Sequence, residues 1–144
     1  MYKIGKNIED LVNSYLQEQG LKLVEVNYRC RVGEIDLIMK DRDTFVFVEV
    51  RYRKSSDYGD GAVSVNFRKQ NKIKRAAAHY LQKNNLYDKV PCRFDIVAVR
   101  DQGSDYFISG SRLKAYRDDV GQTPCVWRSQ KRIDWIKDAF WDKW

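Results

Sequence analysis

Gly33-Glu34-Ile35-Asp36-Leu37-Ile38-Met39, Lys40-Asp41-Arg42-Asp43 and Thr44-Phe45-Val46-Phe47-Val48-Glu49-Val50-Arg51 follow one another without interruption, and their reading decides the fold. The outer blocks are rich in β-branched and aromatic residues, and the middle block is polar turn material. The stretch therefore predicts two antiparallel strands joined by a tight turn. With Arg42-Asp43 as the loop, paired positions sum to a constant and Asp36 falls opposite Glu49. A loop of three or five residues would shift that register by one. Directly opposed side chains lie roughly 4.5–5.5 Å apart at Cβ on one face of a sheet. Arg51 follows Glu49 on the same face, because side chains alternate along a strand.

Two opposed carboxylates repel, and a divalent cation removes the repulsion. Mg²⁺ takes oxygen ligands, commonly one or two carboxylates together with water and a substrate phosphate. The alternative is a solvated face, on which Arg51 forms a cross-strand salt bridge to Glu34. The run Phe45 to Val50 is apolar on both faces, which argues for burial. A buried carboxylate needs a partner.

The chain has 144 residues, which predicts one domain, residues 1–144, with enough chain for a real core. Lys and Arg number 27 against 20 Asp and Glu, giving a formal net charge of +7. This surplus favours a polyanionic partner, nucleic acid before membrane. No apolar run approaches the roughly 18 residues of a membrane span, and the start Met1-Tyr2-Lys3-Ile4-Gly5-Lys6 carries no signal core. Cys30, Cys92 and Cys125 are far apart and lack metal-type spacing, which predicts reduced thiols in a cytoplasmic protein.

Around the hairpin, residues 4–19 predict a helix with an apolar face of Ile4, Ile8, Leu11, Val12, Tyr15 and Leu16, stopped by Gly20. Glu9 lies beside that stripe, where the simplest expectation is a solvated first-turn acid. Leu21 to Val26 predicts a strand, and Asn27 to Gly33 a lead-in with a bend at Gly33. Residues 66–83 predict a second helix, capped by Asn66 or Ser64, that buries Ile73, Ala76, Ala77, Tyr80 and Leu81. Arg68, Lys69, Lys72, Lys74 and Arg75 load its first half with positive charge. That placement opposes the helix dipole and reads either as a solvated basic face or as a phosphate-facing surface. His79, the single histidine, has no partner motif.

Arg93 to Val99 predicts a central strand parallel to the Phe45 strand, since strand, helix, strand is a crossover unit. Asp95 there reads as a structural acid pairing with Arg93 or with a cation of the second helix. Tyr106-Phe107-Ile108 suggests a short edge strand within an otherwise extended basic stretch over residues 101–130. Residues 131–144 read as a closing amphipathic helix on Ile133, Ile136, Ala139 and Phe140, capped by Ser129. Trp135, Trp141 and Trp144 on it would cover the core or form a homodimer patch.

The runs Gly33 to Ile38, Phe47 to Arg51, Lys69 to Leu81, Arg93-Phe94-Asp95 and Trp135 to Phe140 together resemble the YraN family of small bacterial proteins. Members look like restriction-endonuclease-fold nucleases of the PD-(D/E)xK superfamily, close in layout to archaeal Holliday junction resolvases. The resemblance covers about residues 4–100 and 131–140 and makes residues 101–130 look like an insertion. It implies an α/β, restriction-endonuclease-like fold: a mixed central β-sheet, antiparallel at the hairpin and parallel across the second helix, flanked by helices. It also implies a Mg²⁺- or Mn²⁺-dependent phosphodiesterase site in which Asp36 and Glu49, with the main-chain carbonyl of Val50, hold the metal. Glu9 matches a further acid on the first helix. Arg51 stands where the signature has Lys; an arginine is a poor base but can position a phosphate. Arg53, Arg68, Lys69, Lys72 and Arg75 would track a DNA backbone, with Lys69 or Lys72 able to supply the missing amine. The alternative is a non-catalytic nucleic-acid-binding protein with a degenerate nuclease site.

Overall fold

The computed structural model describes residues 4–53, 65–101, 125–128 and 131–140. Two helices, α1 (Ile4–Glu18) and α2 (Phe67–Lys83), accompany six strands: β1 (Lys22–Cys30), β2 (Gly33–Asp41), β3 (Thr44–Arg53), β4 (Cys92–Asp101), β5 (Cys125–Arg128) and β6 (Lys131–Ile136). They form one mixed sheet in the order β1-β2-β3-β4-β6-β5.

The hairpin forms in the predicted register, from Asp41 opposite Thr44 to Leu37 opposite Val48. Arg42 sits at φ 59°, the left-handed conformation that tight hairpin turns use. As predicted, β3 runs parallel to β4, with Glu49 beside Ile96. The helices cover opposite faces of the sheet. Ile8, Val12, Tyr15 and Leu16 of α1 pack with Leu37, Met39, Val46, Val48, Val97 and Val99. Ile73, Ala76, Ala77, Tyr80 and Leu81 of α2 pack with Ile38, Phe45, Phe47, Phe94 and Ile96. The two-sided burial of β3 follows from its unbroken apolar sequence.

Both helix ends follow their sequence signals. After α1, the Gly20 amide bonds to the Gln17 carbonyl at 3.0 Å and the Leu21 amide to the Leu16 carbonyl at 3.1 Å. Gly20 takes φ 104° there, a conformation that residues with a Cβ avoid. Asn66 caps α2, its side chain accepting from the Lys69 amide at 2.8 Å. Lys74 departs from the expected basic surface: it is buried, with its ammonium over the Phe140 ring.

Three expectations are corrected. The predicted lead-in from Asn27 to Gly33 is strand as far as Cys30, so β1 and β2 form a second hairpin turning at Arg31-Val32. The predicted closing helix is instead strand β6, antiparallel to β4, with Trp135 opposite Val97 and Ile133 opposite Val99. Its short run of Ile133, Trp135 and Ile136 has no decisive period, and such β-branched and aromatic residues suit a pleated surface. The open edge of β4 supplied the partner that sequence could not reveal. Residues 125–128, read as part of the extended basic stretch with no strand assigned there, form β5 on the outer side of β6. Tyr106-Phe107-Ile108, Trp141 and Trp144 lie outside the described residues.

Asp95 is structural. It is fully buried and receives Arg93 Nε at 3.0 Å, Trp135 Nε1 at 2.9 Å and the Asp138 amide at 2.9 Å. The Ala139 amide also bonds the Phe94 carbonyl at 2.7 Å, and Phe140 stacks on Phe94. One acid thus pins the chain after β6 to the middle of the sheet.

Gly33 lets α2 approach the second hairpin closely: a Cβ there would meet the Lys72 carbonyl oxygen at 2.8 Å. A main-chain oxygen cannot rotate away, so Gly33→Ala should lower stability by about 1–3 kcal/mol, in line with other overpacking changes. Urea unfolding measures this, and an unchanged midpoint would mean that α2 can move aside.

Candidate functional site

The β2–β3 ladder ends at Leu37 and Val48, although both strands continue. Where it ends, the Val50 amide donates to Asp36 Oδ2 at 2.8 Å, so a side-chain carboxylate replaces the strand carbonyl as acceptor. The roll of β2 places it there. Ile35 packs on the α2 side and Leu37 on the α1 side, although residues two apart normally share a face. Asp36 lies between them, half-buried.

Glu49 occupies the same face of β3 as Phe45 and Phe47 and is only 5% exposed. Lys69, on the first turns of α2, reaches it with Nζ 3.4 Å from Oε2. Burial drives the Glu49 pKa up to about 7; Asp36 adds to the rise, while Lys69 and Arg51 oppose it. Asp36 is raised for the same first reason, with the Val50 amide and Lys69 pulling the other way. Asp36 and Glu49 thus share one electrostatic environment. Asp36 destabilises the charge of Glu49, whereas a side-chain hydrogen bond with Glu49 favours the charge of Asp36, and Lys69 offsets part of the cost of both.

Glu9 departs from the expectation of a solvated acid. It is half-buried, and its pKa is raised by burial first and then by Asp36. The charge of Asp36 is felt from α1 on one side and from Lys69 on the other, which the roll of β2 makes possible. Arg51 acts on Glu49 through its charge, and the expected alternative pairing of Arg51 with Glu34 does not form: Glu34 pairs with Arg29 at 3.3 Å. Val50 meets Asp36 through its amide. Arg53 ends β3, beside Arg100 of β4. Arg68, Lys72 and Arg75 are exposed on α2.

Among the described residues, no group of three or more His, Cys, Asp or Glu side chains converges closely enough to hold a metal ion. The candidate donor set is therefore the Asp36–Glu49 pair. Its chemistry fits a hard divalent ion, which commonly takes one or two carboxylates and completes its shell with water and substrate oxygens. Sequence reasoning missed the contact between the Tyr28 hydroxyl and His79 Nδ1, which joins β1 to α2. No local motif announces a pair 51 positions apart in the chain.

The model of the uncharacterised protein family UPF0102 matches residues 8–99, from α1 through most of β4. The chain belongs to the UPF0102 family. This is the YraN family of the sequence resemblance. A UPF0102 protein of Pseudomonas syringae pv. tomato is 40% identical over 136 residues, covering 94% of this chain and 91% of that one. One from Nitrosococcus oceani is 47% identical over 70% of this chain and 82% of its own. A third, from Psychromonas ingrahamii, is 59% identical over 60% of this chain and 69% of its own. The matched segment contains Glu9, Asp36, Glu49, Arg51 and Lys69, so the whole candidate site lies within the family's shared region. No helix among the described residues is long and apolar enough to cross a membrane.

The raised Glu49 pKa has a consequence for stability. A glutamate ordinarily titrates near 4.5 and Glu49 near 7, so folding favours its protonated form between those values. The stability that the neutral carboxyl confers is complete below pH 4.5 and is lost as the pH rises through 7. Glu49→Gln, neutral at every pH, should be more stable than the parent at pH ~8 by about 1–3 kcal/mol, each pKa unit being worth about 1.36 kcal/mol. The two should converge below pH ~4.5. Urea unfolding across this range, in chelator, reads the difference; a constant gap would contradict the shift.

Proposed function

We propose that this chain is a metal-dependent nuclease-like protein of the restriction-endonuclease-like PD-(D/E)xK superfamily, acting on DNA phosphodiesters. The observation that carries this reading is the pair of acids held across the opening of β2 and β3, with a lysine against one of them. Asp36 and Glu49 are the side chains that would hold Mg²⁺ or Mn²⁺, with the main-chain carbonyl of Val50 as a third donor. A divalent ion bound there supplies charge neutralisation at the scissile phosphate and lowers the pKa of water.

The chain's own residues have separable roles. The Val50 amide fixes one Asp36 oxygen and so orients the carboxylate. The Lys69 ammonium, 3.4 Å from Glu49, would supply the amine of the superfamily signature that position 51 does not provide. Arg51 keeps a fixed positive charge next to Glu49 and suits stabilisation of the phosphate in the transition state. Glu9, raised by burial and by Asp36, approaches the pair from α1. Arg53, Arg68, Lys72 and Arg75 would contact the DNA backbone.

A second reading, nucleic-acid binding without turnover, is favoured by Arg51 in place of the signature lysine. It predicts binding that weakens steeply with salt and needs no specific metal.

Labelled linear, single-stranded and four-way-branched DNA, incubated with Mg²⁺, Mn²⁺ or EDTA, separates the two. Asp36→Asn and Glu49→Gln should each reduce cleavage by at least about a hundredfold, since several kcal/mol of charge stabilisation is removed. Both should leave binding largely intact. Mg²⁺ should also raise the thermal midpoint of the parent and not of either variant, a readout independent of turnover. Cleavage that persists in both variants would remove this site from consideration. Binding without cutting under every condition would favour the second reading.

A further inference from the structure

A cleft of about 460 Å³ lies between the Arg31-Val32 turn of the second hairpin and α2. Four cations line it: Arg29 and Arg31 from the hairpin, Lys69 and Lys72 from the helix. The single acid in its lining, Glu34, is already paired with Arg29. The lining is not only charged. Val32, 40% exposed, and half-buried Cys30 give it apolar surface, above Ile73 of the core. Gly33 keeps the two walls close, because α2 touches its Cα side at the Lys72 carbonyl. Lys69 links the cleft to the acidic pair, since it lines the one and contacts Glu49 of the other.

We infer that this cleft binds an unpaired nucleic-acid strand, with phosphates against Arg31 and Lys72 and a base against the apolar surface of Val32 and Cys30, and delivers that strand to the Asp36–Glu49 pair. The inference rests on the proposed function and adds the substrate class. A duplex presents phosphates outward and keeps its bases stacked inside, so an apolar wall behind a cationic rim gains nothing from it. An unpaired strand offers both surfaces, and contact between bases and apolar or aromatic surface tolerates any sequence. The hairpin arginines, absent from the contacts expected on sequence grounds, become half of the binding rim.

The test is fluorescence anisotropy in EDTA, where binding is read without cleavage. The probes are a labelled oligothymidylate of about twelve nucleotides and a duplex of equal length. The parent should bind the single strand more tightly. Arg31→Ala combined with Lys72→Ala should weaken that binding at least tenfold and make the slope of log K against log salt shallower by roughly 1.4, two contacts at about 0.7 each for single strands. Val32→Asp should weaken the single strand more than the duplex. Lys22→Ala, at the far end of β1, should change nothing. All the altered side chains are exposed, and circular dichroism melting verifies that each variant folds. Equal binding by the double variant would overturn the cleft, while intact metal-dependent cleavage by the parent would leave the nuclease reading standing. Preference of the parent for duplex would overturn the unpaired strand as ligand. A parent that binds neither probe and cuts nothing would overturn both.

Discussion

The bond from the Val50 amide to the Asp36 carboxylate is the point on which the arrangement depends. A strand pair that separates in the interior leaves amides without acceptors, and an unpaired buried amide costs about as much as a lost hydrogen bond. Asp36 supplies the acceptor, so β2 and β3 can part there without that penalty. The same substitution draws a charged oxygen into the sheet and holds it opposite Glu49. Opening of the hairpin and assembly of the acidic pair are one event seen from two sides.

Lys69 then determines how far the pair can remain charged. Burial pushes both acids toward their neutral forms, Asp36 adds to the rise at Glu49, and the ammonium at 3.4 Å from Glu49 opposes this. A lysine at the start of a helix is disfavoured by the helix dipole, and Arg68, Lys69 and Lys72 accept that cost together. Glu49 relieves it for Lys69. The exposed cations of α2 have no such compensation within the helix.

The hairpin register was legible because a two-residue turn and strict alternation leave one arrangement, and Asp41 opposite Thr44 fixes all the rest. The parallel β3–β4 pairing and both helices were legible from periodicity, caps and the crossover rule. The contact of Lys69 with Glu49 was legible only as a choice between two lysines, since helix phase does not specify the reach of a four-carbon side chain. From periodicity alone Glu9 read as a solvated acid, and only the resemblance put it near the pair, because the roll between Ile35 and Leu37 has no signature in sequence. β6 was misread because Ile133, Trp135 and Ile136 satisfy helical and extended patterns alike, and the deciding partner, the edge of β4, is more than thirty residues away. The bonds from Trp135 and Asp138 to Asp95 depend on that pairing, so they too were hidden.

The anchoring of β6 to β4 bears on how the chain can change its length. Asp101 is held opposite Lys131, and Cys125 opposite Asp134, so both ends of residues 102–124 are tied to neighbouring strands. The entropy of closing such a connection grows only with the logarithm of its length, about 0.6 kcal/mol for each doubling. Residues inserted or removed between these strands are therefore nearly neutral for folding.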